Sequence, residues 1–237
     1  MLKVFELVIK VYLIKEVNQK DSHNIIADFI DSFLAKKEAF SVFHHKNIFK
    51  FYSFDAFFPI AQNGIYAADS LYQFRIRTTD KQLADYLAGG LADHQTIWLK
   101  GLTRSIRVIP PAQIESVYTI TPLIIKDPDG KGYWKDGMSF DKFEDAIRSN
   151  LIKKYNSCLG THLDENFELY NQIELLSKTP IGMPYKGITL LGDKVSIQAA
   201  DNRMAQELWY FALGTGLGTM NSRGMGFLQY HFVQKGR

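Results

Sequence analysis

Cysteine is nearly absent. Cys158 stands alone in 237 residues, which excludes an internal disulfide and every paired-cysteine metal site and fits a reducing compartment. A cytoplasmic location is the expectation. No apolar run reaches the length of a membrane span. The amino-terminal stretch MLKVFELVIKVYLIKEV is broken by Lys3, Glu6 and Lys10, and no small-residue cleavage site follows it. A soluble, unprocessed chain with no membrane partner is therefore expected. Charge of one sign is scarce as well, and a net charge of +3 permits polyanion binding without implying it. His23, His94, His162 and His231 have no ligand partner at i+4, so no metal and no cofactor is assigned.

What is present is a well-ordered alternation of apolar patterns. Residues 2 to 15 alternate as a long strand, and Ile25, Ile26, Phe29, Ile30, Phe33 and Leu34 then recur at a helical period, with Asp21 or Ser22 available as cap. NIFKFYSF and LYQFRIRTT read as strands. Asp80 opens a short helix through Leu83, Leu87 and Leu91, and TIWLKGLTRSIRVI is a strand stopped by Pro110 and Pro111. The order β, α, β, β, α, β is the ferredoxin-like one. It begins again at SVYTITPLII, continues through a helix from about Asp141 to Lys154 and the strands FELYNQIELL, KGITLLG and KVSIQAA, and closes with a helix capped by Asp201 or Asn202 and the strand GFLQYHFV. The fold class is α+β, two tandem ferredoxin-like (βαββαβ) folds, with residues 1–112 as the amino-terminal domain and 113–237 as the carboxy-terminal one. The halves share no sequence repeat.

Gly214, Gly216, Gly218, Gly224 and Gly226 crowd into one short stretch. A dinucleotide or P-loop site needs its glycines after a strand and opening a helix, whereas these follow a helix and precede a strand, and no GK[ST] occurs. Two readings stay open on the residues alone. Gly214 caps the helix and the rest is a turn, or the loop presents backbone amides, with Asn221, Ser222 and Arg223 at its centre, to phosphate oxygens.

The spacing of Gly216, Gly218, Gly224 and Gly226 between the last helix and the last strand resembles the carboxy-terminal glycine-rich loop of the CRISPR-associated repeat-processing endoribonucleases of the RAMP superfamily. Those proteins are two tandem ferredoxin-like folds of about this size. In that family a histidine follows the first helix, ahead of a segment like K-P-F-T-F-S. Here FHHKNIFKFYSF stands at that place, Lys50 to Phe54 align with the segment, and Phe51 replaces its proline. The resemblance makes His44 and His45 the candidates for the catalytic histidine and carries the histidine pair into the first domain and the glycine-rich loop into the second. Some members place a tyrosine in the first helix; Phe29 and Ile30 occupy that neighbourhood here. On composition alone, two histidines at a helix end are surface residues or partners of the helix dipole.

The resemblance implies metal-independent cleavage of CRISPR precursor RNA within the repeat, by 2′-hydroxyl attack on phosphorus, leaving a 2′,3′-cyclic phosphate and a 5′-hydroxyl. Imidazole suits either proton transfer. Lys50 or Lys46 would stabilise charge on the phosphorane, and Tyr52 would orient the phosphate or share a proton transfer. Gly216, Gly218, Asn221, Ser222, Arg223, Gly224, Gly226 and Lys46 are candidate RNA contacts. If the loop serves RNA, valine at Gly224 or Gly226 is expected to weaken binding with thermal stability nearly intact. Arg75 and Arg77 alternate with Phe74 and Ile76, which puts both guanidiniums on the face opposite the core, and Arg104 and Arg107 lie on a second strand. These four form either a solvated sheet face or a phosphate track for an RNA stem. Two competing readings remain, a noncatalytic RAMP-type RNA-binding subunit of a CRISPR effector complex and a small-molecule or regulatory role. The partner expected is CRISPR repeat RNA; an effector complex and a homodimer are left open.

Overall fold

The structure, a computed structural model, describes residues 2–45, 48–126 and 132–234, the stretch 42–45 as backbone alone. Strand β1 (Val4–Leu13) is followed by β2 (Val17–Asn18), α1 (Ser22–Leu34), α2 (Glu38–His45), β3 (Tyr52–Phe54), β4 (Ile65–Tyr66), β5 (Ser70–Thr78), α3 (Lys81–Gly90) and β6 (Leu99–Ile109). The sheet runs β3-β5-β1-β6 with every neighbouring pair antiparallel, while β2 and β4 form a separate short ribbon. Period-2 alternation puts Phe5, Leu7, Ile9, Val11 and Leu13 on one face of β1, where they pack with Ile26, Phe29, Ile30 and Phe33 of α1 and Leu83 and Leu87 of α3. Each such side chain contributes about 1.5–3 kcal/mol when fully buried, so this face anchors both helices.

The second unit repeats the plan with an insertion. It contains β7 (Ile114–Thr119), α4 (Trp134–Gly137), α5 (Phe140–Leu159), β8 (Tyr170–Leu175), the hairpin β9 (Ile181–Tyr185) and β10 (Ile188–Gly192), β11 (Val195–Ala199), α6 (Arg203–Thr215) and β12 (Leu228–Phe232). Its sheet runs β12-β7-β11-β8, again antiparallel throughout. Counted within each unit, both sheets have the order fourth, first, third, second strand. The tandem ferredoxin-like fold is therefore present.

Several local expectations meet the structure directly. The Asp80 carboxylate accepts from the amides of Gln82 and Leu83 at 2.8 and 3.2 Å, and Asn202 Oδ1 accepts from Ala205 at 2.9 Å. At α1 neither candidate caps: Asp21 makes no capping bond and the Ser22 hydroxyl donates to Gln19 O. NIFKFYSF is strand only from Tyr52, because Phe51 turns the chain at φ 51°. Gly214 lies inside α6, packed so closely on Thr78 and Thr79 that a Cβ would stand 2.8 Å from the Thr79 methyl; the cap is Gly216. Helices α2 and α4 and strands β2, β4 and β9 were not foreseen.

The two units meet where the non-helical face of the first sheet is covered by the second. Arg77 is fully buried there, and its Nε donates to Glu6 at 2.6 Å, its Nη1 to Leu228 O at 2.5 Å and its Nη2 to Gln229 Oε1 at 2.9 Å. The guanidinium sits 4.5 Å from the Phe227 ring centroid. From α6, the Tyr210 hydroxyl donates to Ile109 O at 2.6 Å and accepts from the Val4 amide at 3.2 Å.

Candidate nucleic-acid interface

A cleft of about 880 Å³ opens between the segment that leads into β3, the tip of the β9–β10 hairpin, α5 and the glycine-rich connection from α6 to β12. Lys50, Tyr52, Lys126, Lys154, Lys186 and Arg223 contribute to its walls. Five of these six are cations, drawn from both units.

The glycine-rich connection is shaped from within. Gly216, Gly218, Gly224 and Gly226 are all buried, while residues 219–223 between them are partly exposed. A Cβ on Gly226 would stand 2.0 Å from Leu217 O, and one on Gly224 would stand 2.4 Å from the His23 ring. Both residues also have positive φ, at 65° and 83°, where side-chain-bearing residues are strained. The expectation that valine at either position leaves thermal stability nearly intact is therefore corrected: the chain itself lies against both glycines. The Asn221 carboxamide is committed inside the loop too, donating from Nδ2 to Leu217 O and Met225 O at 2.9 and 3.0 Å. The loop is tied to the rest of its unit by Thr219 N–H donating to Ile124 O at 3.1 Å and Gly226 N–H donating to Pro122 O at 2.9 Å. That supporting segment is in turn held at Leu123 by the backbone of Asp193. The buried Asp193 carboxylate accepts from Tyr133, from Trp134 Nε1 at 2.7 Å and from the Ser177 hydroxyl at 2.8 Å.

Beneath the loop lies Lys154 of α5, 2% exposed. Its ammonium donates to Gly216 O at 2.9 Å, Gly218 O at 3.1 Å and Asn221 Oδ1 at 2.7 Å. Sequence reading passed over it, although a lysine three residues after Leu151 and seven after Ile147, on the apolar stripe of α5, is a signal in itself, since lysine is rarely buried without partners.

At the other wall, Arg223 is ion-paired with Asp31 of α1, and Ser222 lines the cleft together with Tyr52. Burial raises the Tyr52 phenol well above its usual range, reinforced by Asp31, so at neutral pH it is a hydrogen-bond donor and not a base. The Lys50 ammonium is lowered by partial burial and then by Arg223, with Asp31 opposing. Asp31 thus stands next to the first-helix position where the resemblance looked for a tyrosine, and it serves as the local counter-charge. His44 and His45 form the last turn of α2; their side chains and the whole of Lys46 lie outside the described residues.

The four arginines of the sheet do not line this cleft. Arg77 as an RNA contact is corrected outright, since it is buried between the units. Arg75 is held by Asp55, Nε to Oδ2 at 2.6 Å. Arg107 pairs with Glu6 at 2.7 Å with its side chain 61% exposed, and Arg104 is exposed on the edge strand β6. The face opposite the helices is where the alternation put Arg75 and Arg77; what covers that face was invisible in it.

A family model described as CRISPR associated protein Cas6, C-terminal, matches residues 109–230, and the chain belongs to that family. Membership supports a role in the processing of CRISPR repeat RNA. Among solved structures the chain is similar to one described as CRISPR associated protein Cas6, at 19% identity over 96% of this chain and 99% of that one, with a TM-score of 0.69. A Cas6-related protein from Pyrococcus furiosus matches at 15% identity over 98% and 100% of the two chains, TM-score 0.70. A RAMP protein binding different RNA substrates matches at 14% identity over 96% and 99%, TM-score 0.69. These likenesses carry the fold. No curated protein matches the chain by sequence. Among the described residues no helix is long and apolar enough to cross a membrane.

Proposed function

We propose that the protein is a metal-independent endoribonuclease that cuts CRISPR precursor RNA within the repeat, leaving a 2′,3′-cyclic phosphate and a 5′-hydroxyl. The observation that supports this is convergence. Lys50 and Tyr52, which follow the histidine-bearing end of α2, share one cleft with Ser222 and Arg223 of the glycine-rich connection. These features lie about 170 residues apart in the chain, yet a single phosphodiester can meet both.

In this reading one imidazole of His44 or His45 takes the 2′-hydroxyl proton, and an imidazolium returns a proton to the leaving 5′-oxygen. Lys50 balances the charge that develops on the non-bridging oxygens. Tyr52, kept neutral by burial, orients the phosphate as a donor. Arg223 is braced by Asp31, so its guanidinium is held at the cleft wall at little further entropic cost.

The test is incubation with the repeat RNA encoded beside the gene, in EDTA, with analysis of product ends. Cyclic-phosphate and 5′-hydroxyl products are expected, and replacing both His44 and His45 with alanine should slow cleavage by about a hundredfold or more. Activity that needs an added divalent ion, or wild-type rates from the double variant, would overturn the mechanism. Tight binding of uncut repeat RNA would favour the noncatalytic RNA-binding role instead.

A further inference from the structure

Lys154 raises a physical question that the cleavage mechanism leaves aside. A buried ammonium is expensive unless each of its three protons finds an acceptor, and an apolar residue would fill the same place without that penalty. Here the three acceptors are Gly216 O, Gly218 O and the Asn221 carboxamide oxygen. Burial pushes the Lys154 ammonium down to about 7. The three acceptors act the other way, because a neutral amine has only two protons and would turn its lone pair toward one of them.

The consequence lies in the peptide planes. In a trans peptide the carbonyl and the following N–H point in opposite directions. Lys154 fixes the Gly216 and Gly218 carbonyls directly. Through Asn221, whose Nδ2 donates to Leu217 O, it fixes the carbonyl between them. Three consecutive planes are thereby set from beneath. Among the described residues the amides of Leu217 and Thr219 are bonded to Gly226 O and Ile124 O, while those of Gly218, Met220, Asn221 and Ser222 make no bond within the protein. Those four residues line the cleft.

We propose that Lys154 is a positioning residue that holds the glycine-rich connection in the backbone arrangement whose unbonded amides, at Gly218 and residues 220–222, receive one phosphate group of the RNA backbone. This rests on the reading that the cleft takes RNA, and it adds which atoms take the phosphate and what orients them.

The experiment compares wild type, Lys154→Met and Asn221→Ala in single-turnover cleavage of repeat RNA and, separately, in titration of the amide NMR signals with inorganic phosphate. For Lys154→Met the half-saturating protein concentration should rise about tenfold or more, while the rate at saturation changes less than about threefold. Its binding should also depend on salt less steeply by roughly one phosphate, a slope change of about 0.7. Asn221→Ala keeps the charge and removes the relay, so it should show the same split, and the double variant should be little worse than Lys154→Met. Phosphate should shift the Gly218 and Ser222 amides in wild type and in neither variant.

If Lys154→Met does not fold, Asn221→Ala carries the test alone. The proposal is overturned if wild-type amides ignore phosphate, or if Asn221→Ala binds RNA and phosphate as wild type does. A wild type that ignores repeat RNA, yet shows phosphate shifts that both variants lose, would sink the RNA reading and leave the positioning role standing.

Discussion

The same topological connection, from the second helix of a unit to its fourth strand, is built in opposite ways in the two halves. In the first half it runs from α3 to β6 and is plugged by His94. Lys36 of the segment after α1 has only protons to offer, so His94 Nδ1 accepts from it at 2.9 Å and Nε2–H donates to the Ser32 hydroxyl at 2.8 Å. The Ser32 hydroxyl in turn donates to Phe29 O at 3.1 Å, and burial followed by Lys36 lowers the His94 pKa. The plug is a neutral ring packed 5.0 Å from Phe29 and 5.5 Å from Phe33. In the second half the connection is longer, and the pin is a cation that comes from the helix and grips loop carbonyls. A neutral plug closes its turn against the helix; a cation that gathers the Gly216 and Gly218 carbonyls from beneath leaves the Gly218 amide unbonded among the described residues. Position in the fold is shared, and the polarity of the pin makes the difference.

The comparison is most easily broken at the glycines. Gly226→Ala should destabilise the protein by about 3 kcal/mol or more in urea unfolding, because the new methyl would meet Leu217 O at 2.0 Å on a backbone of positive φ. Near-wild-type stability there would mean that the second connection is as loose as an ordinary turn. This replaces the expectation that the loop glycines are thermally dispensable.

A slightly smaller effect should follow pH at a histidine beneath the second connection. His23 lies under the second connection against Gly224 and Phe54, and neither ring nitrogen has a partner among the described residues. Burial lowers its pKa to about 4. Between about pH 6.5 and 4 the unfolded chain therefore binds the extra proton and the folded chain does not. Stability is complete above that window and declines as pH falls through it, by up to about 3 kcal/mol. His23→Phe should flatten the difference between urea midpoints at pH 7 and pH 4.5. An unchanged slope in that variant would show that the ring is hydrated or bonded in solution.

The smallest effect belongs to the first half. Gly89 lies within α3 with open space where a Cβ would stand. Gly89→Ala should stabilise by about 0.5–1 kcal/mol, read from the same urea curves. Destabilisation would mean that the first connection also depends on glycine, and the contrast between the halves would weaken.

The sequence by itself determined the doubled order of the main strands and helices and two of the helix ends, those at Asp80 and Asn202. Alternation in β1, the helical stripe of α1 and the caps at Asp80 and Asn202 are written within a few residues of where they act, and such local signals survive without tertiary help. The place of the glycine-rich connection, and of Lys50 and Tyr52 after the histidine pair, was legible for the same reason. Only the tertiary structure decided what those residues touch. Arg77 reads like Arg75 on the strand, yet its guanidinium is closed in by Leu228 O, 151 positions away. Gly224 and Gly226 read as part of a turn or a phosphate-facing loop, and the fold lays His23 and Leu217 against them. Lys154 looked like one more lysine in a helix until the fold brought the Gly216 and Gly218 carbonyls and Asn221 over it. Burial and hydrogen-bond partnership are set by packing between distant segments, and periodicity in one segment says which face is covered without saying by what.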